Sequence, residues 1–371
     1  AYDMAMGTSQ MLGCLTERLQ DVSKDATLTC FGQEFNPETY AIAKADMLIK
    51  GGNASGMKYG DTLSDDAFSG YEFDYVISNP PFGIDWKREK TQVETEAKLG
   101  YDGRFGPGLP AISDGQMLFM LNGVKKLKDG SGRMAIIQNG SSLFTGDAGS
   151  GASEIRRYLI HGDFVEAIVQ LPTDLFYNTG ISTYIWVLTK GKPMHRSGWV
   201  QLIDASKCFV KRRKNIGSKR VDLSDACINL ILQAYEGFEN QTYTDGDLVV
   251  ESKVFAKDFF GFTKVTVETA QADESGKPIL KRGKKQPVKG ASDSEIIPLN
   301  ENIDAYMAKN VLPYNPLAYI DPAKDKIGYE IPFTRLFYKF EAPESSASIF
   351  EDIKALEAKE TVLMKELFGN A

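Results

Sequence analysis

The sequence predicts an open α/β fold: a mostly parallel, twisted sheet with an antiparallel edge strand, followed by a C-terminal extension with helices. Three observations predict it. Over residues 1–190 short apolar runs alternate with amphipathic stretches, as in successive parallel β-α-β units. One of these runs ends at Ser78 against Asn79-Pro80-Pro81, which no strand ladder can continue through. Two later runs, 164–171 and 183–189, are separated by a loop containing Asn178-Thr179-Gly180. A hairpin-like return of that kind suggests an antiparallel edge on an otherwise parallel sheet.

In chain order, Tyr2-Asp3 reads as the end of a strand that turns into a glycine-containing loop through Gly7, Thr8 and Ser9. Only two residues precede Asp3, whereas buried strands run to about five. The expectation is therefore a fragment, cut inside or just after its first strand. A strand over 28–32 and a helix over 37–50 follow, then a strand over 73–78. The stretch 85–113 holds Gly100, Gly103, Gly106, Pro107, Gly108 and Pro110, and reads as a long polar loop, functional or mobile. Asp114 is positioned to cap a helix running to Lys128, and 134–138 is a buried strand. Residues 1–190 thus form an expected core. Residues 191–300 form an extension with basic segments, in which the polar stretch 270–295 is expected to be flexible. Residues 301–371 form a helical tail whose Ile349, Ile353, Leu356, Leu363 and Leu367 share one helical face, interrupted by Glu360. That stripe suits either packing on its own domain or a coiled-coil-like docking helix.

Composition narrows the function. The chain of 371 residues is 42% hydrophobic and 25% charged, ordinary for a globular protein. No apolar run approaches the ~20 residues of a membrane helix, and residues 1–15 lack the pattern of a secretory signal. No membrane association is expected. Cys14, Cys30, Cys208 and Cys227 are scattered without a CxxC pair, which suits reduced thiols in a cytoplasm. His161 and His195 lie in no metal-ligand pattern, so no metal is expected. The net charge of −7 argues against nucleic acid only until its distribution is read. Residues 207–220 carry seven basic side chains and no acidic one, and 277–289 carry six. Taken alone, each run fits a solvated face as well as a DNA contact.

The sharpest signal is Asn79-Pro80-Pro81-Phe82 directly after a strand. Open α/β sheets bind ligands at the carboxyl ends of their strands. A rigid Pro-Pro there aims the Asn79 amide oxygen and the Pro80 carbonyl at one spot. Two fixed acceptors suit the two N–H groups of an exocyclic amine, and Phe82 offers a face on which a base can stack.

This motif resembles the catalytic motif of amino-group methyltransferases acting on adenine N6; cytosine-N4 enzymes more often begin it with Ser. Residues 3–9 resemble the family's glycine loop, roughly Asp-Pro-x-x-Gly-Ser/Thr-Gly, with Met4 in place of Pro and Ser9 in place of the second Gly. Glu34 and Asp61 stand where the family carries acidic residues after its second strand and near its third. The resemblance implies a Rossmann-like class I methyltransferase fold that uses S-adenosyl-L-methionine. It places Asp3, Met4, Gly7, Thr8, Ser9, Glu34, Asp61 and Asn79 against the cofactor, and Asn79, Pro80, Pro81 and Phe82 at the reacting base.

Further segments resemble, in order, the modification subunit of type I restriction-modification systems. They are Ser113-Asp114-Gly115-Gln116-Met117-Leu118-Phe119, Gly132-Arg133-Met134-Ala135-Ile136-Ile137, Leu171-Pro172 through Phe176 and Gly180, and Gly328 through Arg335. That resemblance implies a bacterial or archaeal cytoplasmic enzyme acting on double-stranded DNA with a specificity subunit and a restriction subunit. It also implies that an N-terminal helical domain and a cofactor-contacting segment precede Asp3. Two rival readings remain from sequence: glutamine-N5 methylation of a protein, whose motif usually continues Asn-Pro-Pro-Tyr, and a non-catalytic assembly subunit.

Overall fold

The computed structural model describes residues 1–340 and 343–369. The chain divides into two units, Ala1–Pro332 and Phe333–Ala371.

The first unit opens with β1 (Tyr2–Asp3), α1 (Gln10–Val22), β2 (Phe31–Glu34), α2 (Pro37–Ile49), β3 (Met57–Tyr59) and β4 (Tyr75–Ser78). The β2 strand starts three residues later than the expected 28–32 and ends two later. Phe31 joins an aromatic cluster with Phe68, Tyr71 and Phe73, which anchors this end of the sheet. Asn36 caps α2, its Oδ1 accepting from the Glu38 and Thr39 amides at 3.0 Å, and Pro37 supplies a first helical turn that needs no donor.

Next come α3 (Lys90–Ala97), α4 (Gln116–Lys125), β5 (Arg133–Asn139), α5 (Ser141–Phe144), α6 (Gly151–His161), β6 (Val165–Gln170) and β7 (Thr183–Thr189). The expected long loop at 85–113 therefore contains a helix. It is fastened by Arg104, whose guanidinium bonds Glu96, the carbonyls of Thr62 and Leu63, and Asn122. Asp114 does not cap α4 itself. Gly115 holds that position, and Asp114 accepts from the Gln116 amide.

Beyond residue 190 lie β8 (Trp199–Asp204), β9 (Val210–Ile216), β10 (Lys219–Asp222), α7 (Asp225–Gly237), β11 (Gln241–Asp245) and β12 (Leu248–Ala256). Three of these strands join the main sheet, whose order is β11-β12-β8-β6-β7-β5-β4-β1-β2-β3. The sheet thus continues past the expected 190 boundary. It is parallel from β5 through β3 and again between β6 and β8. The antiparallel strand β7 sits between β5 and β6, and β12 and β11 form an antiparallel edge. The α7 side is packed by Val169, Ile203, Cys208, Cys227, Leu230 and Val250.

A second sheet contains β13 (Gly261–Ala270), β16 (Pro287–Pro298), β17 (Ala318–Ile320) and β18 (Lys326–Tyr329), with a small ribbon of β14 (Leu280–Lys281) and β15 (Lys284–Lys285). The expected flexible stretch at 270–295 is therefore largely strand. Val265 and Val267 of β13 pack onto a core with Ile297, Met307, Val311 and Ala318, while β16, largely within that stretch, is exposed along most of its length. The short α8 (Ile303–Tyr306) leads into that core. Buried Arg156 of α6 donates to the Tyr329 carbonyl at 2.6 Å and so ties the second sheet to the first.

The second unit holds α9 (Phe333–Phe337) and α10 (Ser346–Phe368). No residue of α10 is buried. No helix among the described residues is long and apolar enough to cross a membrane.

Candidate active site

Strand β1 lies between β2 and β4 and is parallel to both. The chain runs outward from β1 through β2 and β3, then returns to the other side of β1 through β4 and β5. Such a reversal opens a crevice at the carboxyl ends of the two central strands, where sheets of this kind bind ligands. Here those ends are Asp3 and Ser78, and the Ser78 hydroxyl donates to Asp3 Oδ1 at 2.7 Å. Asn79 therefore emerges beside the loop that follows β1.

A cleft of about 770 Å³ occupies this point, a size typical of small-molecule and cofactor sites. Met4, Glu34, Asp61, Asn79, Pro80, Pro81 and Phe82 all line it. Four other expected residues do not. Asp3 and Ser9 are buried, and Gly7 and Thr8 are half-buried in the loop between β1 and α1. These four shape the cleft rather than face it. Gly7 has φ +54° and Ser9 φ +63°, so both loop positions are left-handed, and Ser9 adopts a conformation for which glycine carries no penalty.

The acidic residues are held by backbone amides. Glu34 accepts from the Gly7 amide at 2.9 Å and the Asn36 amide at 2.8 Å, one on each oxygen. Asp61 accepts from the amides of Leu63 and Ser64 and from the Ser64 hydroxyl, all on Oδ1. Asp3 is fully buried, and burial pushes its carboxyl up to about 7 against the hydrogen bonds from Ser78 and Ala5; the nearby Glu34 charge adds to the rise. By contrast, Asn79 is exposed and its amide has no partner among the described residues.

The structure adds residues that sequence reading did not assign to the site. Phe35, Trp86, Phe119, Phe176 and Asn178 complete the walls. Trp86 is buried and donates to the Ala111 carbonyl at 3.0 Å, so it is fixed within the stretch expected to be a loop. Below the wall, the Gln116 side-chain amide donates to Asp114 and Asn139, each at 2.7 Å, and Ser141 donates to Asp114 at 2.6 Å. This network fixes the start of α4 against the end of β5. Five charged residues line the cleft: Glu34, Asp61, Asp85 and Glu89 against the single cation Arg88. A cleft of that balance attracts a cationic ligand and repels phosphate. Among the described residues no cluster of His, Cys, Asp and Glu could hold a metal ion.

The family described as N-6 DNA Methylase matches residues 1–275. The chain belongs to that family. It is 28% identical over 287 residues to the type I restriction enzyme HindI methylase subunit of Haemophilus influenzae, covering 76% of this chain and 61% of that one. It is 27% identical over 243 residues to the MjaIX methylase subunit of Methanocaldococcus jannaschii, covering 64% and 41%. The chain thus spans about half the length of the curated relatives it matches. Among solved structures it resembles the type I restriction-modification methyltransferase subunit from Streptococcus thermophilus, at 29% identity and TM-score 0.57 over 70% of this chain and 51% of that one. The EcoKI M protein shares the fold at 20% identity and TM-score 0.52, over 70% and 59%. The N-6 DNA Methylase chain therefore has the Rossmann-like class I methyltransferase fold that its sequence predicts.

Proposed function

We propose that this chain transfers a methyl group from S-adenosyl-L-methionine to N6 of adenine in double-stranded DNA, as the modification subunit of a type I restriction-modification system. One observation carries this reading: an Asn79-Pro80 pair without a partner among the described residues opens into the same cleft as the backbone-held carboxylates of Glu34 and Asp61. The cofactor fits the residues present. Each Glu34 oxygen keeps a lone pair for a ribose hydroxyl, and Asp61 Oδ2 is free of the turn it caps, hence available to an adenine amine. The acidic lining suits the positive charge of a sulfonium. Met4 lines the cleft where the methionine portion would lie, and the Gly7–Ser9 turn behind it shapes that wall.

Bound there, the cofactor would supply an electrophilic methyl group that requires no covalent enzyme intermediate. The chain's own residues then position and stabilise. Asn79 Oδ1 and the Pro80 carbonyl accept from the two N–H groups of the flipped-out base and oppose the positive charge that grows on its nitrogen. Phe82, half-buried, stacks on the base, while Trp86, Phe119 and Phe176 keep water from the wall. Glutamine-N5 methylation has no feature of this cleft in its favour over DNA, and the basic run at 207–220 has no role in it.

The proposed partners are a specificity subunit that reads the DNA sequence and a restriction subunit, in a bacterial or archaeal cytoplasm. The unburied stripe of α10 is a docking face for the specificity subunit. Removing residues 345–371 should abolish that assembly while leaving cofactor binding intact, read by co-purification and calorimetry. The whole reading is tested by incubating the full-length protein and its specificity subunit with labelled cofactor and duplex DNA, then digesting the DNA to nucleosides. Label should appear in N6-methyladenine. Label in protein glutamine, or in neither, would overturn it.

A further inference from the structure

The cleft repels phosphate, yet the base it receives is attached to a phosphate backbone that must lie at its mouth. A surface suited to that backbone stands beside it. Strands β9 and β10 form an isolated two-stranded hairpin, apart from both large sheets. Seven cations fall between residues 207 and 220 with no carboxylate among them. Asp222 pairs with two, Arg212 at 2.5 Å and Lys219 at 3.0 Å. The other five, Lys207, Lys211, Arg213, Lys214 and Arg220, are exposed and have no ion pair among the described residues.

The hairpin is fixed to the cleft wall rather than free. At its tip the Ser218 amide donates to the Tyr177 carbonyl at 2.9 Å, and lower down the Arg220 and Val221 amides donate to the Asp174 carbonyl at 2.8 and 3.3 Å. Lys219 Nζ lies 5.2 Å from the Tyr177 ring centroid. Phe176 and Asn178, on either side of Tyr177, line the cleft. Gly217 makes this approach possible: its φ is +57°, and a Cβ there would lie 2.4 Å from the Tyr177 oxygen. One short loop therefore carries the wall of the cleft on Phe176 and Asn178 and the anchor of the hairpin on Tyr177.

We propose that the β9–β10 hairpin is a phosphate-binding arm that holds the DNA backbone next to the nucleotide entering the cleft, with the Asp174–Asn178 backbone as its rigid mount. The arm rests on the reading of duplex DNA as substrate and extends it by naming the surface that takes the phosphates. Because it grips only the backbone, it carries affinity and placement but no base sequence.

The test uses the full protein in the assembly in which it purifies, with a fluorescent duplex titrated at several salt concentrations. The variant combines Lys211→Ala, Arg213→Ala, Lys214→Ala and Arg220→Ala, all at exposed positions. The slope of log affinity against log salt should fall by about 0.9 for each phosphate the arm no longer holds. The total fall should be roughly 2 to 4, with affinity at low salt reduced by about tenfold or more. Cofactor binding should be unchanged. A slope equal to that of the unaltered protein would overturn the arm, and so would loss of a protein subunit in its place, which would make the hairpin a protein interface. Methyl transfer by the unaltered protein is measured alongside. Transfer to adenine with an unchanged slope sinks the arm alone, whereas a reduced slope without any transfer sinks the proposed reaction and leaves the arm. Gly217→Ala tests the mount: the charges remain, so the salt slope should persist, while kcat/KM for DNA should fall several-fold as the hairpin is pushed off Tyr177. Unchanged turnover in that variant would show that the arm works without its attachment and overturn the rigid mount.

Discussion

The two sides of the cleft are built in opposite ways. On the side of β1 to β3, every acidic group is already engaged: Asp3 with Ser78 and Ala5, Glu34 with Gly7 and Asn36, Asp61 with Leu63 and Ser64. On the side of β4, Asn79 is exposed, has no partner among the described residues, and is followed by the rigid Pro80-Pro81 pair. The first side is set before any ligand arrives, as suits a cofactor that must bind in one fixed pose. The second keeps its hydrogen-bonding capacity open, as suits a substrate that comes and goes. The difference teaches which substitutions should separate binding from chemistry.

The largest effect should follow Asn79→Ala. It removes an acceptor that matters only as charge develops on the amine, so methyl transfer in a single turnover should fall by about 10²–10³-fold. Cofactor affinity by calorimetry should stay nearly unchanged. Retained turnover would erase the contrast between the two sides.

Asp3 comes next, through pH. The unfolded chain loses this proton near the usual 3.8, the folded chain near 7. Between these values the folded state binds more protons than the unfolded one, so stability falls as pH rises and is lowest, from this group, above 7. At about 1.4 kcal/mol for each tenfold change in proton affinity, the effect is a few kcal/mol. Asp3→Asn keeps an oxygen to accept from Ser78 and Ala5 but carries no charge. It should melt higher than the unaltered protein at pH 8, with the gap closing toward pH 4. An equal gap at both pH values would show that the Asp3 charge is not the cause.

Glu34 and Asp61 should then differ from each other. Alanine at either site should weaken cofactor binding by about 1–3 kcal/mol for the lost charged hydrogen bond. The amide variants sharpen this. Asp61→Asn can keep every bond of its turn, because all fall on one oxygen, whereas Glu34→Gln must give up one of two backbone donors. The melting temperature should therefore fall less for Asp61→Asn. Its amide nitrogen would still face the adenine amine donor to donor, so calorimetry should show weaker cofactor binding in both variants.

What could be read from sequence follows the same division. The Asn79-Pro80-Pro81-Phe82 turn was legible because its geometry is local: a strand end, two prolines and an aromatic ring in consecutive residues, all of which line the cleft. Glu34 and Asp61 were legible by order and spacing, and both reach the cleft. The walls were not. Trp86, Phe119 and Phe176 come from three separate segments and meet only after the sheet forms. The helix within 85–113 was hidden because its restraint is distant, Arg104 reaching back to the carbonyls of Thr62 and Leu63. The sheet beyond residue 190 was hidden for a similar reason, since β8 finds β6 across the intervening β7 hairpin. In 270–295, β16 has no buried residue before Ile297, so no apolar face marked it in the sequence, and its strand rests on pairing with β13.

Ser9 offers the smallest effect and the finest test of the loop. It sits at φ +63°, where a residue with a Cβ is strained by about 1–2 kcal/mol, and its buried hydroxyl has no hydrogen-bond partner. Both features count against serine. Ser9→Gly removes them, and costs about 0.5–1 kcal/mol through the greater freedom of glycine in the unfolded chain. The balance favours the variant by about 1 kcal/mol, a rise of a few degrees or less in melting temperature. Because Ser9 is buried behind the loop and not on the cleft surface, cofactor affinity should move little. If the variant is instead less stable, the Ser9 hydroxyl has a partner that the fold alone does not provide. The first place to look is then bound water under the Gly7 turn, because a loop that needs such water would be less fully set in advance than its carboxylates suggest.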